Sequence, residues 1–97
     1  MKDIYNIRSI IKFIKDNNFT PTQFLFLECC RLQDYQHLKI LKDILNVDDV
    51  TDFNDLSIIG RELMTDLQNR GFITIFKKEN NTISLSQNYI ELVEKNL

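Results

Sequence analysis

The sequence predicts an α+β fold that is mostly α, in the order helix, helix, helix, helix, hairpin, helix. Two observations predict it. Apolar residues recur at three- and four-residue steps over most of the chain, which is the period of an amphipathic helix. The exception is residues 69–87, NRGFITIFKKENNTISLSQ, where two short β-rich runs flank a polar, partly basic tip. A two-stranded hairpin is marginal by itself in water, so this one must lean on the helices.

Composition sets the bounds. Ninety-seven residues, 43% hydrophobic and 10% aromatic, describe one domain, 1–97, with material for a single core. No apolar run approaches the ~20 residues of a membrane-spanning helix. The N-terminal residues carry spaced charges and no secretory-signal pattern. The chain therefore reads as a cytoplasmic protein with no membrane partner. Cys29 and Cys30 are adjacent, and helix geometry points neighbours about 100° apart, which disulfide geometry does not tolerate. One histidine, His37, cannot complete a zinc site with them. Reduced thiols inside a helical core are the expected state, with no metal and no cofactor.

In residues 3–16, Ile4, Ile7, Ile10, Ile11 and Ile14 form one stripe, with Tyr5 and Phe13 beside it. This first helix, within residues 1–18, ends at the polar Asp16-Asn17-Asn18. Thr20 before Pro21 then reads as an N-cap followed by proline at the first helical position, and Gln23 completes a capping box. Phe24, Leu25, Phe26, Leu27, Cys29, Cys30 and Leu32 leave the second helix little polar surface, so it should be central. Asp34 closes it or caps the next. Leu38, Leu41, Ile44 and Leu45 mark the third helix.

Residues 46–55, NVDDVTDFND, read as a loop rich in capping residues. In the fourth helix Leu56, Ile59, Leu63 and Leu67 define one face, with Ile58 and Met64 alongside; Asp55 is the expected N-cap and Gly71 the left-handed residue past the end. In the hairpin, Ile75 opposite Ile83 and Ile73 opposite Leu85 leave Lys78, Glu79 and Asn80 as a three-residue turn. A two-residue turn at Asn80-Asn81 is the alternative register. A final helix faces Tyr89, Leu92 and Val93 inward.

From Thr20 onward these phrases resemble a winged helix-turn-helix domain of the MarR type. TPTQFLFLECC is similar to the family's first core helix, LSIIGRELMTDLQNRGFI to its recognition helix running into the first wing strand, and TISLSQNYIELVEK to the second wing strand and following helix. The resemblance implies a winged-helix core, 20–97, with an extra N-terminal helix, a two-stranded wing and a C-terminal helix. The acidic ten-residue loop and the few basic residues at the start of the reading helix depart from the family pattern. The richness in Asn, Ile, Asp and Lys suggests an AT-rich genome, and small domains of this look point to a bacteriophage source, with the host cytoplasm or the virion as location.

Two kinds of partner follow. The family implies duplex DNA, held by Arg61 and Arg70 on the reading helix and Lys77 and Lys78 on the wing, with Gln68 and Asn69 in reach of base edges or phosphates. Charge argues otherwise. Residues 1–18 are net +2, whereas residues 43–66 set seven acids against Arg61 alone, net −6. The acids there include Asp48, Asp49, Asp52, Asp55, Glu62 and Asp66, and they suit a protein partner with a basic surface. Asp52 and Asp55 also suit a helix N-terminus, and such runs are commonly just solvated loops. The isoleucine stripe of the first helix could dock on its own domain, on a second copy as a homodimer, or on a neighbouring protein. Without a Gly-rich phosphate loop or a converging acid, base and nucleophile, an enzyme is not expected. The preferred reading is a non-enzymatic binding module, with a DNA-binding regulator as the alternative.

Overall fold

The computed structural model describes residues 6–45, 56–76 and 82–97. Helices α1 (Ile7–Asp16), α2 (Pro21–Leu32), α3 (Tyr35–Leu45) and α4 (Ile58–Asn69) precede strands β1 (Ile73–Phe76) and β2 (Thr82–Leu85), and α5 (Gln87–Asn96) closes the chain. The described residues are mostly helical, with a two-stranded antiparallel sheet. Residues 46–55 and 77–81 lie outside the described residues, and with them the acidic loop, the hairpin turn, Asp48, Asp49, Asp52, Asp55, Lys77 and Lys78.

Residues 1–5, with Ile4 and Tyr5 of the expected stripe, lie outside the described residues. Asn6 has extended backbone, and its side chain accepts the Ser9 N–H at 3.3 Å, so the helix starts at Ile7. Its anchor is Phe13, 3% exposed, rather than the isoleucines. Ile10 and Ile14 pack partly against the core, whereas Ile7 and Ile11 stand in solvent. An aromatic ring buries more apolar area than an aliphatic chain, and a ring at position 13 can reach three others. Phe13 lies 5.9 Å from Phe19, 5.8 Å from Phe24 and 6.4 Å from Tyr89, all ring to ring.

The predicted capping box holds: Gln23 N–H donates to Thr20 Oγ1, and Thr20 N–H to Gln23 Oε1, each at 3.0 Å. Helix α2 is central, with Phe24, Phe26, Leu27 and Cys29 buried. It stops at Gln33, which takes the left-handed conformation at φ 54. Asp34 belongs to the next helix. Its Oδ1 accepts the His37 N–H at 3.2 Å, which caps α3, and Leu38 and Leu41 fix that helix in the core.

Helix α4 corrects two expectations. Its N-cap is Ser57, whose hydroxyl accepts the Gly60 N–H at 3.1 Å, not Asp55. The inward face also differs. The buried face is Gly60, Met64 and Leu67 with Leu63 beside them, and Ile58 and Ile59 stand outside, 69% and 70% exposed. Spacing alone cannot separate the two faces, because Ile59-Leu63-Leu67 and Gly60-Met64-Leu67 both step at helical intervals. The core takes the second face, with Met64 and Leu67 fully buried.

The end of α4 is as expected. Gly71 has φ +81; its N–H donates to the Gln68 carbonyl and the Phe72 N–H to the Leu67 carbonyl, both at 3.0 Å. This is the paired closure of a Schellman motif. The hairpin pairs Ile73 with Leu85 and Ile75 with Ile83, the preferred register. Ile73 and Ile75 are buried, Ile83 and Leu85 partly so, and the sheet packs its aliphatic face against the helices. A 2.9 Å bond from Ser86 N–H to the Phe72 carbonyl closes its base, and the Ser86 side chain caps α5. Tyr89 and Val93 of α5 complete the core; Leu92 is half-buried.

Candidate functional site

The outward side of α4 follows from its caps. With Gly60, Met64 and Leu67 inward, the opposite stripe is Ile58, Glu62, Thr65 and Asn69, spaced at four, three and four residues, and all four are exposed. Its centre therefore holds one large aliphatic, one carboxylate and two neutral polar groups, and no cation. Arg61 and Gln68 are exposed on one flank, Ile59 and Asp66 on the other. Ile58 is the part of this surface that periodicity mislaid, because it was grouped with the inward face.

Arg70 does not join that surface. Its guanidinium runs back under the helix, donating from Nη1 to the Asn17 carbonyl and from Nη2 to Asp66 Oδ2 at 2.8 Å. Its Cζ also stands 4.9 Å from the centroid of Phe19 and 5.6 Å from that of Phe72, in reach of cation–π attraction. Asp66 in turn accepts Gln23 Nε2 at 2.9 Å, and the same Nε2 reaches the Leu63 carbonyl at 2.9 Å. One predicted phosphate-binding cation and one predicted partner-binding carboxylate thus neutralise each other where α4 meets the junction of α1 and α2. Neither use was legible in the sequence, where Gln23 reads only as half of a capping box.

A second polar cluster lies in the core. Glu28, 5% exposed, receives Arg31 through Nε at 2.8 Å and Nη2 at 2.7 Å, and the phenol of Tyr89 at 2.6 Å. A buried carboxylate is tolerated only with such partners. The one sequence signal was a Glu with an Arg three residues on, in a helix otherwise almost wholly apolar. Because Arg31 grips Glu28, it supplies no positive field to the thiols. Burial first, then Asp34 and Glu28, pushes the Cys29 thiol above its ordinary value; burial and the neighbouring Cys29 push Cys30 up to about 12. Both are poor nucleophiles at neutral pH.

His37 stands in solvent with Nδ1 2.6 Å from Asp34 Oδ2. That bond, with the backbone bond from the same residue, holds the Asp34 carboxyl below the usual carboxylate value. Among the described residues, no three His, Cys, Asp or Glu side chains gather to hold a metal ion, and no helix is long and apolar enough to cross a membrane.

A groove of about 410 Å³ lies between α1, α2 and the start of α3. Ile10, Ile14, Phe24 and Cys29 form its floor, and Leu25 and Leu32 rise on the α2 side, 47% and 48% exposed. Glu28 touches it, but with its charge already engaged.

The frame is thus a mostly helical α+β domain with one antiparallel hairpin. No family model, curated protein or solved structure matches the chain.

Proposed function

We propose that the chain is a winged helix used as a non-enzymatic protein-interaction module, with the outward face of α4 as its docking surface. The observation that carries the reading is the stripe of Ile58, Glu62, Thr65 and Asn69. A helix that reads the major groove places its N-terminal residues on base edges and gains affinity from cations on phosphates. Here the N-terminal positions are two isoleucines about 70% exposed, and a carboxylate follows one turn later. Bare aliphatic side chains gain from leaving water against another apolar surface, roughly 1.5–3 kcal/mol for each one fully covered. They gain nothing from phosphate.

The partner presents an apolar patch to Ile58 and Ile59 and basic residues to Glu62. Asp48, Asp49, Asp52 and Asp55 precede this face in the sequence and add to the attraction for a basic surface. The module works inside a larger assembly, and the composition favours a bacteriophage one. The duplex-DNA alternative keeps Arg61, Gln68 and Asn69 on α4 together with Lys77 and Lys78, and it loses the Arg70 charge to Asp66.

Titration with mixed-sequence duplex DNA at low salt tests the choice. Weak or undetectable binding is the expected result, with no change on Arg61→Ala. Submicromolar affinity that falls steeply with added salt would overturn the reading. A photo-crosslinking residue at position 59 should yield a nuclease-resistant protein adduct in the native assembly, and Ile58→Asp should abolish it.

A further inference from the structure

We propose that the groove between α1 and α2 is a second docking site, built for an amphipathic α-helix that carries carboxylates along one edge. It shares no residue with the α4 face. Its floor, formed by Ile10, Ile14, Phe24 and Cys29, is apolar, and its volume of about 410 Å³ admits a few aliphatic side chains. The exposed apolar surface continues past the cavity on both sides. Ile7 and Ile11 of α1 are 74% and 60% exposed, and Leu25 and Leu32 of α2 are each nearly half exposed. A small molecule lodged in the cavity would leave these four side chains bare, whereas a helix laid along the groove covers them with its i, i+4 and i+7 positions.

Charge selects the kind of helix. Along α1, Arg8 and Lys15 are exposed one helical step beyond Ile7 and Ile11, and Lys12 follows around the helix, with Asp16 the one acid in α1. The groove is therefore edged on the α1 side by cations. On the opposite rim the carboxylate of Asp34 is engaged by His37. A second copy fits poorly. Two α1 helices laid antiparallel over Ile11 would set Arg8 against Lys15 of the other chain, and like charges at that spacing repel. A partner helix with Glu or Asp beside its aliphatic stripe meets the same edge with attraction.

The experiment uses the full chain and two fluorescent helical peptides of about 14 residues, ~21 Å long. Both carry leucines at i, i+4, i+7 and i+11; one has Glu on both flanks of the stripe, the other Lys. The Glu peptide should bind with a Kd below about 100 μM and at least about tenfold more tightly than the Lys peptide. Arg8→Glu combined with Lys15→Glu should reverse that order. Leu25→Glu and Ile7→Glu, both at exposed positions, should each abolish binding with the circular-dichroism melt retained; if Leu25→Glu does not fold, Ile7→Glu decides. Ile58→Asp should leave peptide binding unchanged, which separates this site from the α4 face. Failure of the Glu peptide to bind, equal affinity for the two peptides, or binding that survives Ile7→Glu would overturn the proposal. So would sedimentation showing a dimer of the free chain that Ile7→Glu dissolves, because the occupant would then be a second copy.

Discussion

The phenol of Tyr89 on α5 meets Glu28 on α2 at 2.6 Å, a side-chain bond that spans 61 residues of sequence and lies wholly inside the core. Tyr89 is also the ring on which Phe13, Phe19 and Phe72 converge, at centroid distances of 6.4, 6.2 and 6.3 Å. The last helix is thereby tied to the central one through both a ring cluster and a charge-assisted hydrogen bond. Tyr89→Phe keeps the ring and removes the bond. It should cost about 1.5–3 kcal/mol, the range for hydrogen bonds to charged groups, read as a lower urea midpoint with an unchanged slope.

Arg70 holds the start of the hairpin to the junction of α1 and α2. Arg70→Ala should lower stability by about 2 kcal/mol, since it removes a bond to the Asn17 carbonyl and the stacking on Phe19 as well as the pair with Asp66. Asp66 is half exposed, so the pair alone should show only about 0.2–1 kcal/mol of coupling in an Asp66→Ala, Arg70→Ala double-mutant cycle.

Two helix ends should respond to mutation with opposite sign. Gln33 and Gly71 both hold left-handed backbone, at φ 54 and φ 81. A side chain costs about 1–2 kcal/mol in that conformation, so Gln33→Gly should raise the melting temperature by a few degrees. Gly71→Ala should lower it, the more so because the new Cβ would sit 3.3 Å from Asn88 Nδ2.

On α4, Leu67→Ala should cost about 2–5 kcal/mol and Ile59→Ala less than about 0.5. Leu67 is fully buried and Ile59 is 70% exposed. Equal losses in chemical unfolding would contradict the orientation that buries Gly60, Met64 and Leu67.

The thiols supply a pH dependence. Burial pushes the Cys30 thiol up to about 12 in the folded chain, against an ordinary value of 9.0 when unfolded. Below pH 9 both states hold the proton and stability is flat. Between pH 9 and about 12 the unfolded state releases it first, so stability should fall by up to about 1.4 kcal/mol per pH unit. Cys30→Ala should flatten that part of the profile. At pH 8, a thiol reagent should modify the native chain far more slowly than the urea-unfolded chain.

Element order, the capping box at Thr20 and Gln23, the left-handed Gly71 and the pairing of Ile75 with Ile83 were all legible in the sequence. Each is a local matter: a cap, a turn or a strand register depends on residues within a few positions of one another, and side-chain period and backbone chemistry decide it. Which way α1 and α4 face was not, whereas the inward faces of α2, α3 and α5 were. On α1 the five-isoleucine stripe outweighs a single phenylalanine by count, yet Phe13 is the one that meets other rings. On α4 two apolar faces overlap, and the core covers the one with Met64 and Leu67.

By itself, then, the sequence determined the elements, their order and the register of the hairpin. Only the tertiary structure decided that Arg70 and Asp66 spend their charges on each other, that Glu28 lies buried against Tyr89, and that Ile58, Ile59, Ile7 and Ile11 are left bare. The physical reason is distance along the chain. A periodic pattern shows that a helix has an apolar side, but which apolar residues are covered, and which charges are cancelled, depends on groups 43 to 61 positions away that meet only once the core has closed.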